Sequence, residues 1–444
     1  MPRSSRPLRA TALGSSLSAC AALTMFTAMA APSHAQTFTH KGVGTQAGAK
    51  HGQVVAALSD VDGDGGADYA VGAPDFDNVA WWWNYPDAGR VTIVNGRTGA
   101  TIRTHTGGSS SEKFGSAISV TPDCDADGKS DYAIGAPGFS GSKGRVSVYS
   151  SASGALLWTH DGTFANDRHG AAIARIADAN GDGHDEIAIG RPQSGVAPGY
   201  VHVRDRNNQH VMVIGAFTGI SRFGSALAKG PDLNKDGTAD FLVGAPLADV
   251  TTPFGTWTDA GIVYGLDAKT GALIYSFWEL ASGAQFGTSI SALLDTNADG
   301  YGEFVVGAPA WSNWTGFACV YSGKTGNKLF RVDSTYSTNE YFGQSVCNAG
   351  DWNGDGKGDF AVGIPGYSGA VGAIEVHSGT NGALLHLVDA VTLNWGAGEG
   401  NGNFGWSLAG GLFDNDFAFD LLIGDPAYVK SGSIRGSHHL LERY

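Results

Sequence analysis

Cysteine is scarce in this chain, four among 444 residues, and that scarcity excludes a disulfide framework. No pair stands at CxxC or zinc-ligand spacing. Charged residues make up only 16%, methionine occurs four times, and no long stretch carries a helical period. With 67 glycines, that balance excludes a helical array and fits an all-β chain with many turns. A basic excess is missing as well: the net charge of −14 does not favour nucleic-acid binding. Past the first 35 residues no apolar run is long enough to cross a membrane. Catalytic signatures are absent too. There is no G-x-S-x-G elbow, Walker loop or dinucleotide fingerprint, and Gly287-Thr-Ser-Ile and Gly343-Gln-Ser-Val belong to a strand that every repeat shares.

What the chain has is an acidic loop of nine residues, repeated six times. It first reads Asp60-Val-Asp62-Gly-Asp64-Gly-Gly-Ala-Asp68 and begins again at Asp123, Asp178, Asp232, Asp295 and Asp351. Oxygen-bearing side chains at positions one, three and five, a glycine at six and an acid at nine suit a hard cation that takes six or more oxygens. Calcium is that cation, and the expected ligands follow position by position. They are Asp60, Asp62, Asp64 and Asp68; Asp123, Asp125, Asp127 and Asp131; Asp178, Asn180, Asp182 and Glu186. The later loops give Asp232, Asn234, Asp236 and Asp240; Asp295, Asn297, Asp299 and Glu303; Asp351, Asn353, Asp355 and Asp359. About twenty of the 42 acids lie in these loops, so the acidity points to metal. An EF-hand loop would place its last acid at twelve and continue as a helix. Here Tyr69-Ala-Val71 or Phe241-Leu-Val243 follows, and both read as strands.

The loop belongs to a longer unit. An aromatic-glycine pair opens each one: His51-Gly52, Phe114-Gly115, His169-Gly170, Phe223-Gly224, Phe286-Gly287, Phe342-Gly343 and Phe404-Gly405, spaced by 54 to 63 residues. Each unit then runs through a short strand, the acidic loop, a second strand ending in Gly-x-Pro, a variable loop and a hairpin of two further strands. Four short strands with turn chemistry between them make one blade of a β-propeller, and seven units make seven blades. The phenylalanine can wedge between neighbouring blades, and the proline ends the second strand by removing a donor.

This order of FG, acidic loop and GAP resembles the FG-GAP repeats of the integrin α-subunit head, a seven-bladed propeller, over nearly all of residues 37–444. Departures are local. His51 and His169 replace Phe, and Gly190-Arg-Pro192, Gly363-Ile-Pro365 and Gly424-Asp-Pro426 replace GAP. The seventh loop, Leu412-Phe-Asp414-Asn-Asp416-Phe-Ala-Phe-Asp420, lacks the first acid and the glycine, so that blade is expected to be metal-free. The resemblance implies acidic loops on one face and the loops after GAP on the other. Those opposite-face loops hold Trp81, Trp82, Trp83, Tyr85, Trp257, Trp311, Trp314 and Trp395. Such rings suit a sugar or a protein anchor, or they fold down onto neighbouring blades.

Residues 1–35 read as a secretory signal peptide and residues 36–444 as one propeller. Arg3, Arg6 and Arg9 precede an apolar stretch from Ala19 to Ala31, and Ser33-His-Ala35 offers a cleavage site before Gln36. Removing three bases and no acids takes the net charge to −17. Leu17-Ser-Ala-Cys20 looks like a lipobox, although its cysteine lies inside the apolar stretch instead of at its end. The expected location is therefore secreted, periplasmic or cell-surface. Of the remaining cysteines, Cys319 and Cys347 fall on adjacent blades, which leaves a disulfide or two buried thiols as alternatives, and at least one of the three stays unpaired in a monomer.

The resemblance implies a non-catalytic adhesion or recognition module whose partner is an extracellular protein or a glycan. The competing class is a carbohydrate-active enzyme such as a polysaccharide lyase. His160 or His438 could do acid-base work only beside a partner. One expectation concerns closure: blade seven takes Phe404 to Ala409, Asp420 to Ile423 and Ser431 to Arg435 as strands, with residues 437–444 a short polar end. Residues 37–41 then pair with that blade and lock the two chain ends together.

Overall fold

A computed structural model describes residues 36–443 apart from 81, 194–197, 218, 220, 337, 391–401, 415 and 417. Seven four-stranded antiparallel sheets follow one another as the blades of a β-propeller. In blade 2 the strands are Ala117–Val120, Tyr132–Ala136, Arg145–Tyr149 and Leu156–Asp161, in that spatial order. Burial along each blade follows from its neighbours. Second strands such as Tyr132–Ala136, Phe241–Ala245 and Phe304–Ala308 are buried at every residue, since blades pack on both faces, whereas outer strands such as Leu156–Asp161 are half exposed. Continuous apolar runs therefore mark the second strands, and mixed composition marks the outer ones.

The aromatic-glycine pair joins one blade to the next. Phe223, Phe286, Phe342 and Phe404 are fully buried, and Phe114 nearly so. Each following glycine has a positive φ, 92° at Gly115. The glycine of each Gly-x-Pro corner is fixed by close approach: a Cβ on Gly72 would collide with the carbonyl of Gly115, and one on Gly424 with the carbonyl of Gly52. That last contact joins blade 7 to blade 1.

The chain ends close the ring in the same sheet. Gln36–Val43 pairs antiparallel with Ser437–Arg443, from Gln36 opposite Arg443 to Val43 opposite Ser437. Blade 7 therefore runs Ser407–Gly411, Asp420–Asp425, Ser437–Arg443 and Gln36–Val43 from inside to outside. The expected closure is present, and it covers 36–43 instead of 37–41. The strand expected over 431–435 is not. Val429–Lys430 and Ser433–Ile434 form a small hairpin, and the segment read as a polar end is the third strand. Its polar residues mislead because they are partnered inside: His438 and His439 are 5% and 2% exposed, and His438 bonds His51 at 2.9 Å. Gly436, with φ 78°, bridges His51 just as Gly144 bridges His169 in blade 2.

All three described cysteines are free thiols. Cys319 packs in the core of blade 5 with Phe304 and Tyr321, Cys347 against Ala361 and Trp352, so the buried-thiol alternative holds.

Candidate metal sites and the opposite face

Each acidic loop joins the first strand of a blade to the second and folds around its own first carboxylate. In loop 1, Asp60 accepts from the backbone N–H groups of Gly63 at 2.6 Å, Asp64 at 3.1 Å and Gly65 at 2.9 Å. Asp351 takes the same bonds from Gly354, Asp355 and Gly356, and Asp232 from Asp236 and Gly237. Glycine at position six supplies the positive φ that turns the chain, 89° at Gly65 and 91° at Gly128. Positions three and five each accept from the N–H two residues on, as in Asp62 from Asp64 and Asp64 from Gly66.

The acid at position nine does something else. Asp68, Glu186, Glu303, Asp359 and Asp420 are fully buried, and Asp131 and Asp240 are nearly so. Its carboxylate accepts the N–H of position two: Val61 to Asp68 at 2.7 Å, Trp352 to Asp359 at 2.8 Å, Ala179 to Glu186. In blades 1, 2, 4 and 6 the other oxygen accepts an N–H from the turn between the third and fourth strands, Gly96, Ser151, Ala268 or Gly379. Position nine thus ties the loop to the body of the blade. Burial pushes Asp68, Asp131, Asp240 and Asp359 up to about 6 and Glu186 to about 7, against the backbone hydrogen bonds that favour their charged forms.

Four groups of acids converge among the described residues: Asp60, Asp62 and Asp68; Asp123, Asp125 and Asp127; Asp178, Asp182 and Glu186; Asp295, Asp299 and Glu303, each with ligand oxygens within 4.8 Å of one another. The donor set fits a hard divalent cation in chemistry and in satisfaction. Glu186 Oε1 is buried with no hydrogen-bond partner, the kind of vacancy in a bonding pattern that a cation completes. Blades 4 and 6 are not in that set. In blade 4, Lys269 Nζ lies 3.0 Å from Asp236, and the Asn234 amide donates to Asp267 at 2.7 Å. Loop 7 keeps the Phe413 N–H to Asp420 bond at 3.1 Å and the turns at Asp414 and Asp416. With Leu412 at position one, 41% exposed, it has no central carboxylate.

The opposite end of the ring carries the corners after Gly-x-Pro. Blades 1, 4 and 7 extend small hairpins there, and blades 2, 5 and 6 make single tight turns such as Phe139–Ser142, with Ser140 and Gly141 left-handed. The expected aromatic surface divides. Trp82 and Trp83 are 65% and 40% exposed, with Trp83 stacked on Tyr85 at 6.4 Å, and Trp314 is 38% exposed beside Tyr341. Trp257 and Trp311 instead fold onto the cores of blades 4 and 5, Trp311 under the Arg331 guanidinium. Trp81 and Trp395 lie outside the described residues. Trp82, Trp83, Trp257, Trp311 and Trp314 line none of the concavities of about 220, 500 and 530 Å³ on the propeller.

The histidines do find partners. His160 Nδ1 is 2.8 Å from His169 Nε2 and its Nε2 2.6 Å from Arg204; His438 bonds His51 and, at 3.3 Å, Tyr69. These contacts lie in blade packing. Burial lowers His51 and His160 to about 4, which keeps the rings neutral.

With this geometry in place, the FG-GAP repeat family matches residues 114–149, 223–266, 286–326 and 342–377, which are blades 2, 4, 5 and 6. The chain carries FG-GAP repeats in four of its seven blades, and its propeller is integrin α-like. Blades 1 and 3, where His stands for Phe, and blade 7, with its eroded loop, fall outside the matched segments although they share the fold. Integrin alpha-5 of Xenopus laevis is 30% identical over 217 residues, 46% of this chain and 20% of its own length. Integrin alpha-2 of Bos taurus is 32% identical over 212 residues, 44% and 17% respectively. The chain thus spans about a fifth of the length of the curated relatives it matches. The crystal structure of BBS1N in complex with ARL6DN, soaked with lead, superposes with a TM-score of 0.55 at 11% identity, covering 92% of this chain and 97% of that one. At that identity the likeness concerns fold alone. No described helix is long and apolar enough to cross a membrane.

Proposed function

We propose that this FG-GAP propeller is an exported, calcium-binding recognition module that holds an extracellular protein or glycan and catalyses no reaction. The observation that carries the reading is the convergence of carboxylates on four repeated loops, with a buried oxygen of Glu186 left unsatisfied. Calcium, when bound, supplies the positive charge that offsets the mutual repulsion of these acids. The chain's own part is to cage each first carboxylate with backbone N–H groups and to tie each loop down through its ninth residue.

The strongest candidates for acid-base chemistry, His160 and His438, are spent on packing, which supports recognition over turnover. The likeness to integrin alpha subunits supports a role in adhesion outside the cell. A glycan array probed with and without chelator, followed by a search for cleaved product, tests this. Binding without product supports the module; turnover of a polysaccharide would overturn it in favour of an enzyme.

A further inference from the structure

The residue before each aromatic-glycine pair has φ near 55°, from 53° at Lys50 to 60° at Asn403. Side chains other than glycine and asparagine rarely adopt that conformation, and it sets the direction of Cβ alike in every blade. The position precedes the first strand, so it lies at the Gly-x-Pro end, away from the acidic loops. Four consecutive blades place a base there: Lys50, Lys113, Arg168 and Arg222. The next three have Gln285, Tyr341 and Asn403. On a chain of net charge −14 this is a local reversal of sign.

The arc borders a real concavity. Lys50, Lys113 and Arg168 line a cleft of about 530 Å³ across blades 1 to 3, with Gln53, Ser116 and Ser142 in its wall. The matching cleft on the later blades, about 500 Å³, holds Tyr341, Asn403 and Trp406 and no base. Within the basic cleft the charges are unevenly met. Asp75 takes both Lys50 at 2.9 Å and Lys113 at 2.8 Å, and Asp87 takes Lys113 at 3.1 Å. Arg168 and Arg222 are exposed, and among the described residues neither has a carboxylate at ion-pair distance. Arg168 lines the cleft, and Arg222 takes the same position on the next blade, outside the lining residues. Exposed bases on successive blades without a carboxylate counterion suit an anion, and guanidinium groups present paired donors to carboxylate or sulfate.

We infer that the cleft lined by Lys50, Lys113 and Arg168 binds an acidic oligosaccharide that continues towards Arg222 on the next blade, with the two arginines on its carboxylate or sulfate groups and the serine and glutamine side chains on its hydroxyls. The inference rests on the reading of the chain as a recognition propeller and names the ligand class. The cleft wall favours a sugar over other anions. It has no aromatic ring for a base to stack on and no apolar pocket for the anchor residue of an acidic peptide.

The test uses the full mature chain, calcium-saturated and checked for an unchanged melting curve. Binding of a sulfated heparin oligosaccharide, an oligogalacturonate and a neutral dextran oligosaccharide is measured by calorimetry. One or both acidic sugars should bind, more weakly as salt rises, and dextran should not. The variant R168A/R222A should lose at least about tenfold in affinity, and D75N, which frees two lysines, should gain about threefold. Arg206→Ala, in a turn at the acidic-loop end of blade 3, should leave it unchanged. Equal binding of dextran, an unaffected R168A/R222A, or tighter binding of a single-stranded oligonucleotide or polyglutamate would overturn the inference. Because the protein is folded and loaded with calcium throughout, those results would leave the calcium reading intact. Failure of calcium to bind would appear separately in the metal titration.

Discussion

Loop 6 and loop 7 lie on neighbouring blades and differ in the part that matters. Both keep an acid at position nine, Asp359 and Asp420, buried and accepting the N–H of position two. Only loop 6 has an acid at position one, Asp351, wrapped by three N–H groups; loop 7 has Leu412 there. The loop is therefore two devices in one. Position nine ties the loop to its blade in both, and position one with its glycine turn is the cage that, on the proposed reading, holds a cation together with the ninth acid. Blade 7 has the tie without the cage.

The largest effect should come from emptying the cages. Chelation should lower the melting temperature by about 10 °C or more, since each site filled at a hundred times its Kd contributes about 2.7 kcal/mol. A melting curve indifferent to chelator would erase the distinction between the six loops and the seventh. Next comes blade 7's own device. Deleting 36–43 removes its outer strand and exposes the edge of Ser437–Arg443, so the deleted protein should melt several degrees lower and aggregate.

Smaller and more selective effects separate tie from cage. Asp420→Ala strands the N–H of Phe413 and should cost about 1–3 kcal/mol with or without calcium. Asp60→Ala should lose one ion and its share of calcium stabilisation, with a much smaller cost in chelator. Equal losses from both in both conditions would merge the two roles.

The smallest effect concerns Asp425, where blade 7 departs from GAP. Burial pushes this carboxyl up to about 8, and Oδ1 has no partner. A raised folded-state pKa means that the folded protein binds the proton more tightly than the unfolded chain. Stability on this account is kept below about pH 4 and lost as pH rises towards 8. Asp425→Ala should thus stabilise by about 1–2 kcal/mol at pH 8 and by less at pH 4, read from denaturant melts.

The seven-fold repeat was legible because it rests on short-range chemistry. Glycine turns, a proline that ends a strand and acids at fixed spacing recur whatever fills the blades, so blade count, strand order and loop positions follow from the sequence. Closure was legible from the alternation of Thr37-Phe-Thr-His-Lys41. The third strand of blade 7 was not, because His438 and His439 look solvent-facing until His51 and the ring seam supply partners. The second role of position nine, as a tie, was hidden for a similar reason: the N–H groups it ties come in part from a turn some twenty or more residues away, as with Ser151 and Asp131. Trp257 and Trp311 fold inward while Trp82 stays out, a difference set by the neighbouring blade core and not by local sequence. The basic arc had a signal in plain view, the residue before each aromatic-glycine pair, which gains meaning only once the ring sets those positions side by side.

Counting ions tests the central claim most directly. Native mass spectrometry or elemental analysis of the calcium-saturated mature protein should give about six calcium ions, with the Asp60, Asp123, Asp178 and Asp295 sites filling at lower concentration than those of blades 4 and 6, where Asp232 and Asp351 lead loops outside the convergent set. Asp351→Ala should remove one ion, and Asp420→Ala should remove none. Fewer than four ions, or loss of an ion from Asp420→Ala, would contradict the division between cage and tie.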